Sequence, residues 1–404
     1  MPDTRLGHPV YRDMPTTIFE HMSARARETG AINLGQGFPE GPGPQAVLQA
    51  AADALLTRSS QYPPMPGLIE LRTALADHYA RRQGLDLSPQ EIIVTSGATE
   101  AIAASLLALV RPGDEVLMLA PLYDAYLPLV ERAGGVARVV KLTPPDWRVT
   151  RDALEAAITP RTRILLMNNP VNPTGIVLRK AELALLADLC ASHDLIALCD
   201  EVWEETVYDG LPHRPLIGFP GMRERTVKIG SAGKIFSVTG WKVGWMCAAP
   251  PIATLLARAH QFLTFTTPPN LQWGGGAGAG LARRLAERSA RRLSGGARSA
   301  GGGSHQGGLC RAAQRRHLVP VDRPARVRHY DRRCDLLQPD HRRSGGCGDP
   351  DLRLLSRRSG HPSGPPLLLQ VGRDAGSGDR AARRLPRQPW LTQNRRAQDQ
   401  HEDQ

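Results

Sequence analysis

Residues 91–110 read EIIVTSGATEAIAASLLALV. EIIVTSG is a short apolar run entering a Ser-Gly turn, and ATEAIAASLLALV continues with helical spacing. A buried strand, a glycine turn and a helix in immediate succession form the unit from which parallel sheets are built. Parallel neighbours need a long crossover, and a helix supplies it.

The same unit repeats outward from this stretch. DEVLMLAP (114–121) reads as a strand, LYDAYLPLVERAGG as a helix with a glycine stop, and VARVVKL as a strand. RTRILLMNNP (161–170) is a further strand closed by the turn NPVNPTG. KAELALLADLCASHD has helical spacing, LIALCDE (195–201) is a continuously apolar strand, and TVKIGS (226–231) and WKVGWMCAA (241–249) complete the series. Short apolar strands alternating with helices predict an α/β fold, a mainly parallel sheet sandwiched by helices. Ligands in such sheets bind at the carboxyl ends of strands. The unusual polar residues of this chain fall at those ends.

Composition divides the chain. Its 404 residues suffice for two domains and a large core. The formal charge of +12 is unevenly spread: residues 1–273 hold 25 Lys+Arg against 27 Asp+Glu, and residues 274–404 hold 26 Arg against 12 acids. After 273 there is no Lys, Ile, Phe or Met, and only Tyr330 and Trp390 are aromatic. Such a composition buries little core. It reads either as a basic tail that binds nucleic acid or as out-of-frame translation of a GC-rich gene. The absence of lysine favours the frameshift and argues against nucleic acid as a partner. The expected organisation is an N-terminal arm with a small-domain segment (1–47), a large cofactor-binding domain (48–273) and an Arg/Gly/Pro-rich tail (274–404) without a compact core. The N-terminus has no secretory signal pattern, and the apolar run 101–110 is too short to cross a bilayer. The six cysteines have no metal-ligand spacing. These facts fit a cytoplasmic enzyme with no membrane contact and no metal.

The chain has five lysines, and two of them, Lys234 and Lys242, lie in SAGKIFSVTGWKVGW (231–245). A lone lysine is ordinarily a solvated surface group. Lys234 instead follows a strand in a Ser/Gly turn, where desolvation lowers the ammonium pKa and yields a nucleophile able to form a Schiff base. Asp200 ends the buried strand LIALCD, a costly position for a carboxylate without a cationic partner. SGATEA offers backbone N–H groups at a helix N-terminus from Ser96 to Thr99, suited to a phosphate. Ser231 and Lys242 add side-chain donors, the Asn172 amide can donate to a ring oxygen, and Tyr123 can stack on a ring face. Together these meet the requirements of pyridoxal 5'-phosphate. Asn172–Pro173 is a candidate cis bond.

SAGKIFSVTGWKVGW, NNPVNPTG, CDEVWEE, TSGATEAI and INLGQGFPEGPGP together resemble the class I/II aminotransferases of the fold type I pyridoxal-phosphate enzymes. The kynurenine, glutamine K and methionine aminotransferases are the most similar group, over residues 15–272. The resemblance implies Lys234 as the cofactor lysine and proton shuttle, Asp200 on the pyridine nitrogen and Asn172 on the ring hydroxyl. It places Gly97, Ala98, Thr99, Ser231 and Lys242 on the phosphate and the Gly35 backbone on the substrate carboxylate. It also implies a homodimer in which Tyr62 reaches the partner's phosphate. The implied activity is transfer of an amino group between an L-amino acid and a 2-oxo acid. A carbon–sulfur β-lyase and an inactive remnant are the alternatives. The chain departs from the family pattern twice. Trp203 stands where a tyrosine is usual, three residues after the aspartate; an indole N–H donates but neither accepts nor ionises, so the tyrosine's tuning of the ring oxygen does not carry over to it. Nothing in 274–404 resembles the segment that supplies an arginine for the substrate carboxylate.

Overall fold

The computed structural model describes residues 7–12, 14–31, 33, 42–207 and 210–280. Seven strands form one sheet: β1 (Ile92–Thr95), β2 (Glu115–Ala120), β3 (Val136–Lys141), β4 (Thr162–Asn168), β5 (Ile196–Asp200), β6 (Thr226–Ser231) and β7 (Gly244–Cys247). Their order across the sheet is β1-β7-β6-β5-β4-β2-β3. β7 pairs antiparallel with both β1 and β6, and the remaining pairings are parallel. Each strand lies where the sequence predicts one.

Alternate strand residues feed opposite faces, as the two-residue period requires. Ile164, Leu166, Leu198, Val227, Ile229 and Met246 pack on one face, under the helices Ala98–Leu109 and Pro250–Leu263. Leu165, Met167, Ala197 and Cys199 pack on the other against the helix Lys180–Ser192, while Ile92, Val94 and Trp245 join the helix Ile69–Gln83. Burial on both faces explains why the strands read as continuous apolar runs rather than alternating ones.

Register aligns the strand ends that matter. Asn168 of β4 sits opposite Asp200 of β5, and Gly244 opens β7 between Thr95 of β1 and Ser231 of β6. The Asn172–Pro173 bond is cis, as the turn chemistry suggests, and Asn169–Pro170 is cis as well. Residues 269–280 are helical, so regular structure crosses the boundary placed at 273. The glycines that read there as low complexity let this helix lie close to Leu71 and Phe236, and Ala279 is buried in the same cluster. The rest of the tail, with the expectations placed on it, lies outside the described residues. Among the described residues, no helix is long and apolar enough to cross a membrane.

Candidate active site

Asp200 closes β5 and is buried. Burial raises its carboxyl pKa, and two donors oppose the shift: the Tyr126 hydroxyl at 2.6 Å from Oδ2 and the Val202 N–H at 3.3 Å from Oδ1. Tyr126 is itself buried, and burial followed by the nearby Asp200 charge pushes its phenol well above the usual range. It therefore stays a donor, and the acid is held by a fixed O–H. Tyr126→Phe should remove one hydrogen bond to a buried charged group and cost about 1.5–3 kcal/mol of stability near neutral pH. Urea unfolding measures this, and an unchanged midpoint would contradict the geometry.

The turn after β1 carries the backbone donors. Gly97 adopts φ +83°, and a Cβ there would lie 3.0 Å from Cε and 3.1 Å from Nζ of Lys242. Gly244 packs against the same turn, where a Cβ would stand 2.7 Å from the Ala98 nitrogen. Both positions thus require glycine, and their bareness brings the Lys242 ammonium to the start of the helix Ala98–Leu109. Lys242 reaches that place from a left-handed backbone, φ +55°, uncommon for a residue with a side chain. Glu100 fastens the turn from behind: it accepts from the Ser96 N–H at 2.9 Å and meets His260 Nδ1 at 2.9 Å, while His260 Nε2 lies 3.2 Å from the Met65 carbonyl.

Lys234 lies in the short helix Ala232–Ile235 directly after β6. Burial lowers its ammonium to about 8; the Asp200 carboxylate opposes this, and Lys242 adds to it. Its Nζ stands 4.5 Å from the ring centroid of Trp203. Trp203 is buried in the core beside the site, and it presents its ring face to the lysine.

Tyr123 is half-buried; burial, then Asp124 and Asp200, raise its phenol pKa, and a hydrogen bond with Thr99 opposes them. Its ring meets that of Tyr126 edge-on at 5.6 Å. Asn172 is tied to the same edge, since its backbone N–H donates to Asn168 Oδ1, and the Asn168 amide donates to the Asp200 carbonyl at 2.8 Å. Ser231 ends β6 opposite Gly244. Gly97, Ala98, Thr99, Tyr123, Asn172, Asp200, Ser231, Lys234 and Lys242 thus share one sheet edge. Tyr62 stands apart at 82% exposure, its ring edge-on to Phe265 at 5.7 Å. Gly35 lies outside the described residues.

A second cluster was not anticipated from the sequence. Lys228 of β6, wholly buried, places Nζ 2.5 Å from Glu201 Oε2 and 2.6 Å from Glu204 Oε2. His213 Nε2 approaches Glu201 at 3.2 Å, and Tyr79 donates to Glu204 at 2.9 Å while accepting from Trp245 Nε1 at 2.7 Å. Burial pushes the Glu201 carboxyl up, but Lys228 and His213 outweigh it and hold it at about 2. Glu201, Glu204 and His213 bring ligand-type atoms within 4.8 Å of one another, and the Lys228 ammonium serves the two glutamates as their cation. A lysine inside the apolar run TVKIGS was the available signal.

A mainly parallel sheet thus brings a lysine with a lowered pKa, a buried acid and a glycine turn at a helix start to one edge. Residues 29–278 match the family Aminotransferase class I and II. The probable N-succinyldiaminopimelate aminotransferase DapC of Mycobacterium tuberculosis is 48% identical over 257 residues, which cover 63% of this chain and 65% of that protein. The methionine aminotransferase of Escherichia coli is 40% identical over 259 residues, 63% of this chain and 67% of that one. The solved structure of the M. tuberculosis N-succinyldiaminopimelate aminotransferase superposes with a TM-score of 0.73 at 42% identity, over 75% of this chain and 79% of that one. The chain belongs to the class I and II aminotransferase family. It spans less than two thirds, 65%, of the length of the M. tuberculosis relative.

Proposed function

We propose that the chain is a pyridoxal-phosphate-dependent aminotransferase acting between an L-amino acid and a 2-oxo acid. The observation that carries this reading is the pairing, at one sheet edge, of a lysine held at about 8 with a buried aspartate whose carboxyl burial pushes up. A protonated pyridine nitrogen would supply the charge that Asp200 needs. The donor set fits the rest of the cofactor: the 97–99 turn, Ser231 and Lys242 would hold the phosphate, Asn172 the ring oxygen and Tyr123 a ring face. Bound pyridoxal phosphate supplies an aldehyde that condenses with amines and a ring that accepts electron density from the substrate carbon.

The residues' own work follows from their positions. Lys242 and the turn would hold the phosphate by charge and N–H groups. Asp200, oriented by Tyr126, would offer its carboxylate to the pyridine nitrogen. Lys234 would be the amine that holds the cofactor, and its Nζ, held at about 8, would carry a proton at this place. A homodimer is part of this reading: Tyr62, Leu56 and Phe262 are each more than 80% exposed, as apolar groups awaiting a second copy would be. No arginine in 274–404 matches the one that the resemblance assigns to the substrate carboxylate, so turnover should be lower than that of intact relatives.

The test is amino transfer by the purified full chain, with methionine, kynurenine and N-succinyl-diaminopimelate as donors and 2-oxoglutarate as acceptor, joined to borohydride reduction and peptide mapping. New glutamate, with a reduced adduct on Lys234, is the expected result. Pyruvate release from a cysteine conjugate without acceptor would favour the β-lyase. A chain that traps no cofactor would be a remnant.

A further inference from the structure

We propose that the indole face of Trp203 is the seat of the Lys234 ammonium, making Trp203 a positioning residue that orients this amine and favours its protonated form. Nζ stands 4.5 Å from the ring centroid, well inside the distance at which an aromatic face attracts a cation. The ring is fixed, because Trp203 is only 6% exposed and packs in the same core cluster as Tyr126, Leu198, Val202 and Ile229. A desolvated cation gains most from such a face, and tryptophan offers the strongest one.

Three electrostatic influences act on this amine. Burial disfavours the ammonium, Lys242 from the loop before β7 disfavours it further, and Asp200 at the end of β5 favours it. Trp203 is thus a neutral group that supports the protonated amine where desolvation opposes it. The inference deepens the proposed function and rests on Lys234 being the cofactor amine. A lysine that is alternately attached and released needs one place to return to with its proton, and the indole face supplies it. Tryptophan in place of the family's usual tyrosine exchanges an ionisable hydroxyl for a stronger cation seat.

The test measures the free amine. In the full-length chain freed of cofactor, the apparent pKa of Lys234 is read from the pH dependence of its acetylation, with Lys242 followed in the same digest. Trp203→Leu should lower the Lys234 value by about half a unit or more, and Trp203→Phe should restore part of the loss. Should the leucine variant not fold, fluorinated tryptophan incorporated at all six tryptophans weakens the ring face at nearly constant volume, and it should lower Lys234 without lowering Lys242. An unchanged Lys234 pKa in the fluorinated chain would overturn the seat. A borohydride adduct mapped to another lysine would instead overturn the proposed function, leaving the contact intact, so the two failures are distinguishable.

Discussion

Replacing Lys234 by alanine should abolish the borohydride-trapped adduct and reduce amino transfer by at least about a hundredfold to ten-thousandfold, the usual contribution of a positioned acid–base group. The argument begins with protonation. An ordinary lysine is only about 0.1% neutral at pH 7.5, whereas one held at about 8 is roughly one quarter neutral. Burial thus gives Lys234 more than two orders of magnitude more reactive amine than an ordinary lysine. Lys228 is committed to two glutamates, Lys141 and Lys180 are exposed, and Lys242 leans on Gly97. In the wild-type chain, labelling of Lys234 should rise as pH passes about 8, because burial favours the neutral form. Peptide mapping after reduction checks both statements. An adduct that persists in Lys234→Ala on a different lysine would refute the assignment.

Lys228→Met should be the most destabilising single change in the sheet, costing about 3–5 kcal/mol at neutral pH, the usual result of stripping one partner from a buried ion pair. Methionine fills much of the volume, so the loss would come from leaving Glu201 and Glu204 without their cation. The pH dependence separates charge from packing. In the wild type, Glu201 is held at about 2, below its ordinary value of 4.5. Its contribution is therefore present above about pH 5 and is lost as pH falls through about 2. In the variant the main charge holding that carboxyl down is gone, burial then dominates, and stability should rise on mild acidification. Urea midpoints at pH 7.5 and 5 decide the matter. A variant whose midpoint does not rise between pH 7.5 and 5 would show that packing, not charge, is at stake.

Most of the fold was legible because strands buried on both faces must be apolar throughout, and glycine turns punctuate them. The site was legible where chemistry forces an unusual residue into an apolar context: Asp200 at the end of LIALCD, Lys234 after TVKIGS. Residues whose part depends on tertiary contact were harder to see. Tyr126 begins an ordinary amphipathic helix, and nothing local shows that its hydroxyl meets Asp200 from 74 residues away. Lys228 sits in an apolar run but has partners on the loop after β5, so its burial emerges only when β5 and β6 pair. Trp203 could be read as a donor because an N–H is a property of the residue. Which way its ring faces is a property of the packing. The helix through Gly280 was missed for the converse reason, since low complexity in sequence does not preclude a close-packed surface.

β7 runs opposite to its neighbours, and this gives the stretch between Ser231 and Gly244 the character of a ruler. β6 leaves the sheet at the same edge where β7 enters, so Lys234, three residues past one strand, and Lys242, two before the other, are delivered to that edge together. An insertion in this interval would move one lysine relative to the other, or break the pairing of Ser231 with Gly244 that fixes both. Length variation among descendants of this chain should therefore be excluded from residues 232–243. It should be tolerated at the opposite edge, where the turn around Pro112–Gly113 before β2 and the one around Pro160–Arg161 before β4 join elements without reaching the site.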